Sequence, residues 1–505
     1  MTELLTAAQM RAIERAAIES GAVTGLELME RAGRGVVEAV FEEWPALSQA
    51  PHKVVVLCGP GNNGGDGFVV ARLLKGWGWE VEVFLYGEAA SLPPDAKINH
   101  DRWCEMGTVA RLAGAVKDEG AALLVDALFG TGLARPLGGA ARVALASRAG
   151  KVVAVDLPSG LCSDSGRILG EGAMRADLTV TFHAAKLGHH LSDGPAHCGH
   201  LALADIGLVP GPDAVRLIAP PKAACLAKCA GHKYDHGHAL ILTGGAGKTG
   251  AARLAARGSL RIGAGVVSLG VPGSAQQEVA GHITALMLTR IEDGDALTQA
   301  LKDRRINVLC LGPGMGTGER AKALIAAALD VGGFHPPYEG RSLVLDADAL
   351  TVIAHDKALF GMLHERCVLT PHGGEFARLF PDIAEKLTTA ATNGPAFSRV
   401  DATREAARRA GCVVLLKGPD TVIAAPDGRC TIHSAQYERA APWLATAGAG
   451  DVLAGFITGL LARGLPPMQA AETAAYCHVE CARAFGPGLI AEDLPEELPK
   501  VLRAL

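Results

Sequence analysis

The chain has 505 residues, of which 49% are hydrophobic and 4% aromatic, and its formal net charge is −5. This length exceeds one ordinary domain and predicts two or three, each large enough to bury a core. The slightly acidic balance, without any basic run, argues against nucleic acid or an anionic membrane surface as the main partner.

The first sixteen residues, MTELLTAAQMRAIERA, predict a capped helix. They have neither a basic start nor an apolar core, so we expect no signal peptide. Thr6 and Gln9 have the spacing of a capping box, and the helix that follows would carry Met10, Ile13 and Ala17 on one face. The sequence contains no uninterrupted run of about twenty apolar residues, so we predict no membrane span.

The twelve cysteines are scattered and lack the spacing of a disulfide framework. In a chain this long they indicate reduced thiols, and we expect a cytoplasmic location. The closest groupings do not repeat a CxxC pair, so they favour buried thiols over zinc sites. These groupings are Cys225, Cys229, His232 and Cys477, His478, Cys481.

Short apolar runs alternate with helical stretches along the chain. They predict strands at Lys53–Cys58, Glu80–Tyr86, Ala122–Ala127, Lys151–Leu157, Leu178–Phe182, His238–Thr243, Val266–Val271, Val308–Leu311, Ser342–Leu345, Val413–Lys417 and Thr421–Ala425. Runs of Val, Ile and Leu without clean alternation are typical of parallel strands covered by helices on both faces, so we predict an α/β fold. The Pro-rich segment from Leu208 to Pro221 separates two series of strands, and we predict domains at 1–210 and 222–505.

The first strand runs into GPGNNGGDG at residues 59–67, and we expect the next helix to start near Phe68. A Gly-rich loop between a strand and a helix lets backbone N–H groups approach a phosphate. The loop is not the dinucleotide fingerprint GxGxxG, because no acidic residue ends the next strand as that motif requires.

Three further strand ends carry polar groups: Asp126 before LFGTGL, Asp156 within VDLPSG, and Lys186 after TFHAA. A single Asp at a strand end is as easily a helix cap as a functional group. Four polar strand ends within one predicted parallel sheet favour a site, because ligands bind beyond the C-terminal ends of such strands.

In this order and spacing the four motifs, with the Thr6–Gly33 stretch, resemble the NAD(P)H-hydrate epimerase domain, a Rossmann-like three-layer αβα fold. The resemblance implies that Asp156 and Lys186 handle the substrate and its proton. It implies a K⁺ ion held by Asn63, Asp126 and Ser159. The phosphates and ribose would lie against Asn62, Asn63, Gly64, Gly65 and Asp66, and against Gly130, Thr131, Gly132, Leu133, Ala134, Arg135 and Pro136.

The chemistry suits these groups. Hydrated NADH and NADPH carry a hydroxyl at C6 of the reduced ring, as R and S epimers that interconvert by ring opening or by loss and re-addition of water. Either route needs a group that gives and takes a proton beside the ring, and a carboxylate next to a lysine can do this when their pKa values are drawn together. Which of Asp156 and Lys186 acts on which atom stays open.

In the second half, AGAGDVLAG at residues 447–455 places Gly-x-Gly-Asp at the start of an apolar helix. This pattern resembles the ribokinase-like αβα fold, in which the Gly N–H groups form an anion hole and the Asp is a base. A capped helix start would explain the pattern equally well. Four further motifs make the resemblance more specific than Gly-x-Gly-Asp alone. They are LGPGMG at 311–316, VLDADAL at 344–350, LTPHGGEF at 369–376 and LLKGPDT at 415–421.

From about Ala223 onward this combination resembles the ADP/ATP-dependent NAD(P)H-hydrate dehydratase domain. It implies transfer of a phosphoryl group to the C6 hydroxyl, with Asp451 as the base, and then elimination of phosphate. We expect ADP rather than ATP, with Mg²⁺, and a homo-oligomer. The nucleotide would contact Lys417, Gly418, Pro419, Asp420, Thr421 and Gly450, and the hydrate would contact Ala251, Gly316, His372 and Asp451.

Some positions depart from the family pattern. His232–Gly237 lacks the first Gly of the family motif HKGxxG, and this chain has PHGGE where the family has PHPGE. It also has GAGD where the family has GTGD, which removes a hydroxyl beside the expected anion hole. The stretch Gly244–Thr249 is no P-loop, because the first Gly would fall at Leu242. The alternative function is a ribokinase-like small-molecule kinase fused to a non-catalytic nucleotide-binding module. Asn63, Asp126, Asp156 and Lys186 together argue against it, since a scaffold does not require them.

Overall fold

The structure is a computed structural model that describes residues 3–118, 120–209, 211, 214–332 and 340–505. The chain divides into two compact units: Met1–Arg216 with Thr389–Arg399, and Leu217–Thr388 with Val400–Leu505. The division falls in the Pro-rich segment expected to separate the domains, of which Pro210 and Pro212 lie outside the described residues. The prediction of two continuous domains did not anticipate Thr389–Arg399 in the first unit.

The strands of the first unit are β1 (Glu3–Leu5), β2 (Lys53–Cys58), β3 (Glu80–Leu85), β4 (Val109–Arg111), β5 (Leu123–Ala127), β6 (Lys151–Val155), β7 (Leu178–Phe182), β8 (Ala185–Lys186), β9 (His200–Ala204) and β10 (Val215–Leu217). Its helices are α1 (Ala7–Glu19), α2 (Gly25–Glu43), α3 (Asn62–Gly76), α4 (Pro94–Cys104), α5 (Gly139–Ala144), α6 (Leu187–His190) and α7 (Gly194–Cys198). The predicted capping box of Thr6 and Gln9 is confirmed at the start of α1.

The main sheet of the first unit is parallel, with strand order β4-β3-β2-β5-β6-β7-β9. Alternate residues of β2 enter two different cores: Val54 and Val56 pack on one face, and Val55 and Leu57 on the other. This burial on both faces explains why the strands read as apolar runs. After β2 the chain adds β3 and β4 on one side of this strand, and it then returns to add β5 on the other side. The crevice beyond the ends of β2 and β5, where the strand order reverses, is where a Rossmann-like sheet binds its ligand.

The strands of the second unit are β11 (His238–Leu242), β12 (Val266–Val271), β13 (Met287–Arg290), β14 (Ile306–Leu311), β15 (Ser342–Leu345), β16 (Cys367–Leu369), β17 (Val413–Leu416), β18 (Asp420–Ala424) and β19 (Cys430–Ser434). Its helices are α8 (Ala223–Leu226), α9 (Gly250–Arg261), α10 (Gln276–Ala280), α11 (Gly294–Ala300), α12 (Glu319–Gly332), α13 (Ala347–His355), α14 (Lys357–Gly361), α15 (Gly373–Leu379), α16 (Pro381–Thr388), α17 (Arg399–Ala410), α18 (Ala449–Ala462), α19 (Pro467–Phe485) and α20 (Asp493–Ala504).

The sheet of the second unit has the order β13-β12-β11-β14-β15-β16-β17-β18-β19. It is parallel as far as β17 and ends in the antiparallel pairs β17–β18 and β18–β19. Its main core joins one face of these strands to α9, α18, α19 and α20. The predicted α/β class with two αβα domains is therefore confirmed, and each sheet directs a row of loops from its strand ends toward one edge.

The predicted strands agree with the observed ones within two residues at each end. The predicted helix after β2 is present, but its predicted start near Phe68 was wrong, because α3 already begins at Asn62. Gly64, Gly65 and Gly67 lower helix propensity, but their missing side chains let the first turns pack closely. Within the described residues, no helix combines the length and the apolar character that crossing a bilayer requires.

Candidate functional site

The start of α3 forms one wall of the first site. A Cβ on Gly59 would lie 1.7 Å from the carbonyl oxygen of Leu128, and one on Gly64 would lie 2.0 Å from the carbonyl oxygen of Gly59. Only glycine fits at either position, so the turn brings the N-terminus of α3 against the loop after β5. The exposed N–H groups of such a helix end attract anions.

Asp156 follows β6 directly and has a left-handed backbone, with φ of +65°. Its Oδ1 accepts hydrogen bonds from the Thr181 hydroxyl at 2.9 Å and lies 2.9 Å from Nζ of Lys186. Its Oδ2 accepts from the Thr131 amide at 3.3 Å. Burial alone would raise the pKa of Asp156, but the Lys186 ammonium and these donors hold it below its ordinary value. Asp156 is therefore an ionised carboxylate.

His189 fixes the unusual backbone of Asp156. The Lys186 amide donates to Nδ1 of His189 at 2.8 Å, so that nitrogen carries no proton. The other ring nitrogen, Nε2, therefore donates to the carbonyl oxygen of Asp156, also at 2.8 Å. Burial lowers the pKa of His189 to about 4, which keeps the ring neutral in this tautomer.

Lys186 lies behind Asp156. Its side chain is only 1% exposed, and its Nζ donates to the Thr181 hydroxyl at 2.9 Å and to the Phe182 carbonyl at 3.1 Å as well as facing Asp156. An ammonium has three N–H groups, and all three are used within the protein. The sequence correctly paired Lys186 with Asp156 but gave no indication that Lys186 would be sealed from the ligand.

Asp126, Ser159 and Asn63 converge on the loop after β5. The buried carboxylate of Asp126 accepts from the Ser159 hydroxyl at 2.7 Å and from the Ser159 amide at 2.8 Å. Burial raises the pKa of Asp126 to about 6 despite these donors. A Cβ on Gly130 would lie 2.8 Å from Oδ1 of Asn63 and 3.1 Å from Oδ2 of Asp156, which places both side chains next to this glycine.

These groups surround a cavity of about 500 Å³. Of the residues predicted to cradle the substrate, those that line it are Asn62, Asn63, Asp66, Gly130, Thr131, Gly132 and Leu133. Gly64 and Gly65 are buried in the first turn of α3, and Ala134, Arg135 and Pro136 follow on the exposed continuation of the loop. The wall also includes Arg11 and Glu14 of α1, which the sequence did not single out. The sequence did contain an indication of the role of Glu14, because this acidic residue lies four positions after Met10, on the apolar side of α1.

The second site forms at the N-terminus of α18. Gly448, which precedes this helix, has φ of +90°, and a Cβ there would lie 2.8 Å from both Ala491 and Leu254. Conformation and packing therefore both require glycine. Asp451 lies in the first turn of α18. Burial, reinforced by the charge of Asp346, raises the pKa of Asp451 to about 6, although Lys417 acts against this shift.

Lys417 connects several strand ends around Asp451. Its Nζ lies 2.7 Å from Oδ1 of Asp346 and 3.9 Å from Oε2 of Glu375, and a Cβ on Gly450 would lie 3.4 Å from it. Burial would lower the pKa of Lys417, but Asp346 and Glu375 raise it, so the ammonium stays charged. Asp346 and Glu375, which were not predicted site residues, thus hold Lys417 beside Gly450 at the start of α18.

His372 begins α15 as its N-cap, where Nδ1 accepts from the Gly374 amide at 3.0 Å. Its exposed Nε2 lies 3.4 Å from Glu375, which links it to Lys417. Gly418 and Pro419 form the turn from β17 into β18, which begins with Asp420 and Thr421, and the Thr421 hydroxyl closes the turn by donating to the Gly418 carbonyl at 2.7 Å. Of the predicted nucleotide residues, Lys417 lies beside Gly450, and Gly418 to Thr421 follow it along the chain.

Gly316 and Ala251 lie on adjacent loops, after β14 and at the start of α9. The Gly316 amide donates to Asp348 at 2.7 Å. A Cβ on Gly314 would meet that of Ala251 at 3.5 Å, so the two loops are in contact. Within the described part of the chain, no three His, Cys, Asp or Glu side chains converge as they would at a metal centre, and this includes both cysteine–histidine groupings.

Two sequence profiles match the chain. The family described as NAD(P)H-hydrate dehydratase matches residues 239–502, and the one described as YjeF-related protein N-terminus matches residues 25–188. A bifunctional NAD(P)H-hydrate repair enzyme of Moorella thermoacetica is 37% identical over 99% of this chain and 97% of its own. An NAD(P)H-hydrate epimerase of Rhodobacter capsulatus is 54% identical over 37% of this chain and 92% of its own.

Among solved structures, the chain is similar to the ADP/ATP-dependent NAD(P)H-hydrate dehydratase of Bacillus subtilis, co-crystallised with ATP and Mg²⁺. The identity is 26%, the match covers 57% of this chain and 94% of that one, and the TM-score is 0.44.

Proposed function

Because the chain belongs to the family of bifunctional NAD(P)H-hydrate repair enzymes, we propose that it epimerises R and S hydrates of NADH and NADPH and then dehydrates the S form. The observation that supports this assignment is that the chain matches such an enzyme along almost its whole length, with a cluster of polar groups at the strand ends of each unit. One site alone would account for only part of the repair, because the hydrates exist as R and S epimers and dehydration acts on the S form.

In the first site, Asp156 is the group that faces the reduced ring. It lines the cavity and stays ionised beside Lys186, so it stabilises positive charge that develops on the ring nitrogen as the C6 substituent is lost. Lys186 acts through Asp156, since its own N–H groups are all used. The N-terminus of α3 and the Gly130–Leu133 loop bind the phosphates and ribose, where backbone N–H groups face the cavity.

Asn63, Asp126 and Ser159 would hold the K⁺ ion of the epimerase site. The buried Nδ2 of Asn63 has no hydrogen-bond partner among the described residues. A reversed amide would place an oxygen there instead, which would join the carboxylate of Asp126 and the hydroxyl of Ser159 as an oxygen ligand. This all-oxygen set with one carboxylate suits a monovalent cation, which would supply a fixed positive charge that favours ionised Asp126.

In the second site, Asp451 takes the proton of the C6 hydroxyl as the hydroxyl oxygen attacks the terminal phosphoryl group of the nucleotide. The terminal phosphoanhydride bond breaks, and the nucleotide leaves one phosphate shorter. The N–H groups at the start of α18, with Lys417, stabilise the charge on that phosphoryl group. Phosphate then leaves from C6 and a proton leaves from C5, which restores the ring double bond. Hydroxide is a poor leaving group and phosphate a good one, which explains why a nucleotide is consumed.

We propose ADP as the preferred nucleotide, bound by Lys417, Gly418, Pro419, Asp420, Thr421 and Gly450, while Ala251, Gly316 and His372 contact the hydrate. Asp346 and Glu375 are already engaged by Lys417. Mg²⁺ would therefore be held chiefly by the phosphates of the nucleotide, as is common for this ion. The free cysteines of the described chain suit a reducing compartment, and we propose a cytoplasmic homo-oligomer.

The test supplies mixed R and S hydrates to the purified chain with ADP or ATP and follows the absorbance of the reduced nicotinamide. Intact protein should recover all of the NADH. An Asp156→Asn variant should recover only the S fraction and leave the R hydrate behind. Recovery of no NADH by the intact protein with either nucleotide would overturn the assignment.

A further inference from the structure

Epimerisation at C6 needs a group that releases a proton to the substrate, and neither predicted catalytic residue of the first unit meets that need. Asp156 is held ionised by Lys186. Lys186 has a side chain that is 1% exposed, and its three N–H groups go to Thr181, Phe182 and Asp156. The proton must therefore come from another side chain on the cavity wall.

The charged side chains on that wall besides Asp156 are Arg11, Glu14, Asp66 and Asp95. Glu14 forms no hydrogen bond or ion pair with any described residue, although it is half-buried. It projects from the middle of α1, whose start is fixed by the capping box of Thr6 and Gln9. A rigid helix thus presents an unengaged carboxyl to the cavity that holds Asp156.

The position of Glu14 at the cavity wall shifts its pKa upward, chiefly through burial. Burial raises the pKa of Glu14, the negative Asp156 raises it further, and Lys186 and Arg11 act in the opposite direction. Asp66, on α3, likewise has its pKa raised by burial and by Asp156 and Glu14. Carboxyl groups gathered around one cavity oppose each other's ionisation, which raises the pKa of Glu14 and Asp66 beside the ionised Asp156.

Glu14 is better placed than Asp66 to serve the ring. Asp66 belongs to the first turns of α3, where the helix N-terminus faces the dinucleotide phosphates, and a neutral carboxyl there avoids repelling them. Glu14 lies on a different element, α1, and lines the same cavity as Asp156, the group that faces the ring.

Resting on the proposed epimerase function, we propose that Glu14 is a catalytic residue that protonates the C6 hydroxyl of the hydrate. The C6–O bond then breaks, water leaves, and the electron pair of the ring nitrogen forms the N1–C6 double bond beside the Asp156 carboxylate. Water adds back to either face of C6, and its surplus proton returns to the Glu14 carboxylate. The step consumes no other reactant and leaves the protein unchanged.

The experiment follows the R to S ratio by chromatography in the full chain without nucleotide. Glu14→Gln should slow interconversion by about 100-fold or more, in the range expected for loss of a general acid, while KM changes little. Glu19→Gln, at the exposed end of the same helix, is the matched control and should behave as the intact chain does. Dehydration of pure S hydrate should be unaffected in both variants.

The pH profile separates catalysis from structural damage. Because Glu14 must be protonated, interconversion by the intact chain should fall as pH rises through the pKa of Glu14. Glu14→Asp should retain this fall at a shifted pH, and Glu14→Gln should lose it. Normal rates in Glu14→Gln, or a Glu14→Asp profile without the fall, would overturn the proposal. If the intact chain itself does not interconvert the epimers, the proposed function fails instead.

Discussion

The Lys186 ammonium lies 2.9 Å from the Asp156 carboxylate, and the pair is almost fully removed from solvent. A buried ion pair of this kind contributes little net stability, because desolvation of both charges offsets their attraction. Its value here lies in the state of Asp156, which is kept ionised at the cavity wall.

Removing Lys186 alone should destabilise the first unit strongly. Lys186→Met leaves an unpaired buried carboxylate, and we expect a loss of roughly 3–5 kcal/mol, while Asp156→Asn in the same chain should restore much of it. Urea unfolding followed by tryptophan fluorescence measures this, since Trp44, Trp77, Trp79 and Trp103 lie in the first unit and only Trp443 in the second. Lys97→Met, which breaks the exposed pair with Asp101, should leave the midpoint unchanged.

His189 should act as a positioning residue for Asp156. His189→Phe retains the volume but removes the donor to the Asp156 carbonyl, so the left-handed backbone, which costs on the order of 1–3 kcal/mol, is no longer held. We expect epimerisation kcat to fall about tenfold or more with KM little changed. His197→Phe, which removes a similar buried bond to Met174 away from the cavity, is the control. Equal losses in both variants would contradict the assignment.

Dehydration should depend on the ionisation of Asp451. Its pKa is about 6, and only the carboxylate can accept the hydroxyl proton, so the rate should rise with pH through about 6. Lys417 favours the ionised form. In Lys417→Met the rising limb should therefore move to higher pH, whereas Lys386→Met, at an exposed pair with Glu405, should not move it. Asp451→Asn should abolish dehydration and leave the epimers interconverting.

The first unit should respond to potassium. A cation that binds ionised Asp126 stabilises the folded state, by roughly 2.7 kcal/mol when its concentration is 100 times its Kd. Exchange of KCl for choline chloride should therefore lower the unfolding midpoint reported by tryptophan fluorescence, and it should slow epimerisation. Asp126→Asn should lose both responses. A midpoint in the intact chain that is equal in the two salts would argue against the K⁺ site.

The strand-end motifs predicted which groups assemble, because parallel strands deliver their C-terminal loops to one edge of a sheet. Asp156 and Asn63 came together on this basis, and so did Asp451, Lys417 and His372. The sequence did not predict the direction of each side chain. Lys186, four residues after Phe182, could face the cavity or turn behind Asp156. Its hydrogen bonds to Thr181 and Phe182 determine that it turns behind Asp156.

Groups that act from helices were also missed. Glu14 lies in α1, whose sequence was already explained by a capping box and an apolar face. His189 lies in a single helical turn after β8, and its sequence has no distinctive spacing. Asp346 and Glu375 belong to recognised motifs, but each holds Lys417 through a contact with a residue more than forty positions away in the sequence.

The first unit includes Thr389–Arg399, whose Gly394 amide donates to the Ala134 carbonyl at 2.9 Å and whose Ala391 and Ala396 pack with Cys162 and Leu169. The architectural boundary is therefore crossed three times by the polypeptide. A single proteolytic nick or an artificial gene split near residue 216 would separate the first unit from part of its own interior, and a faithful dissection must carry this peptide along or replace it.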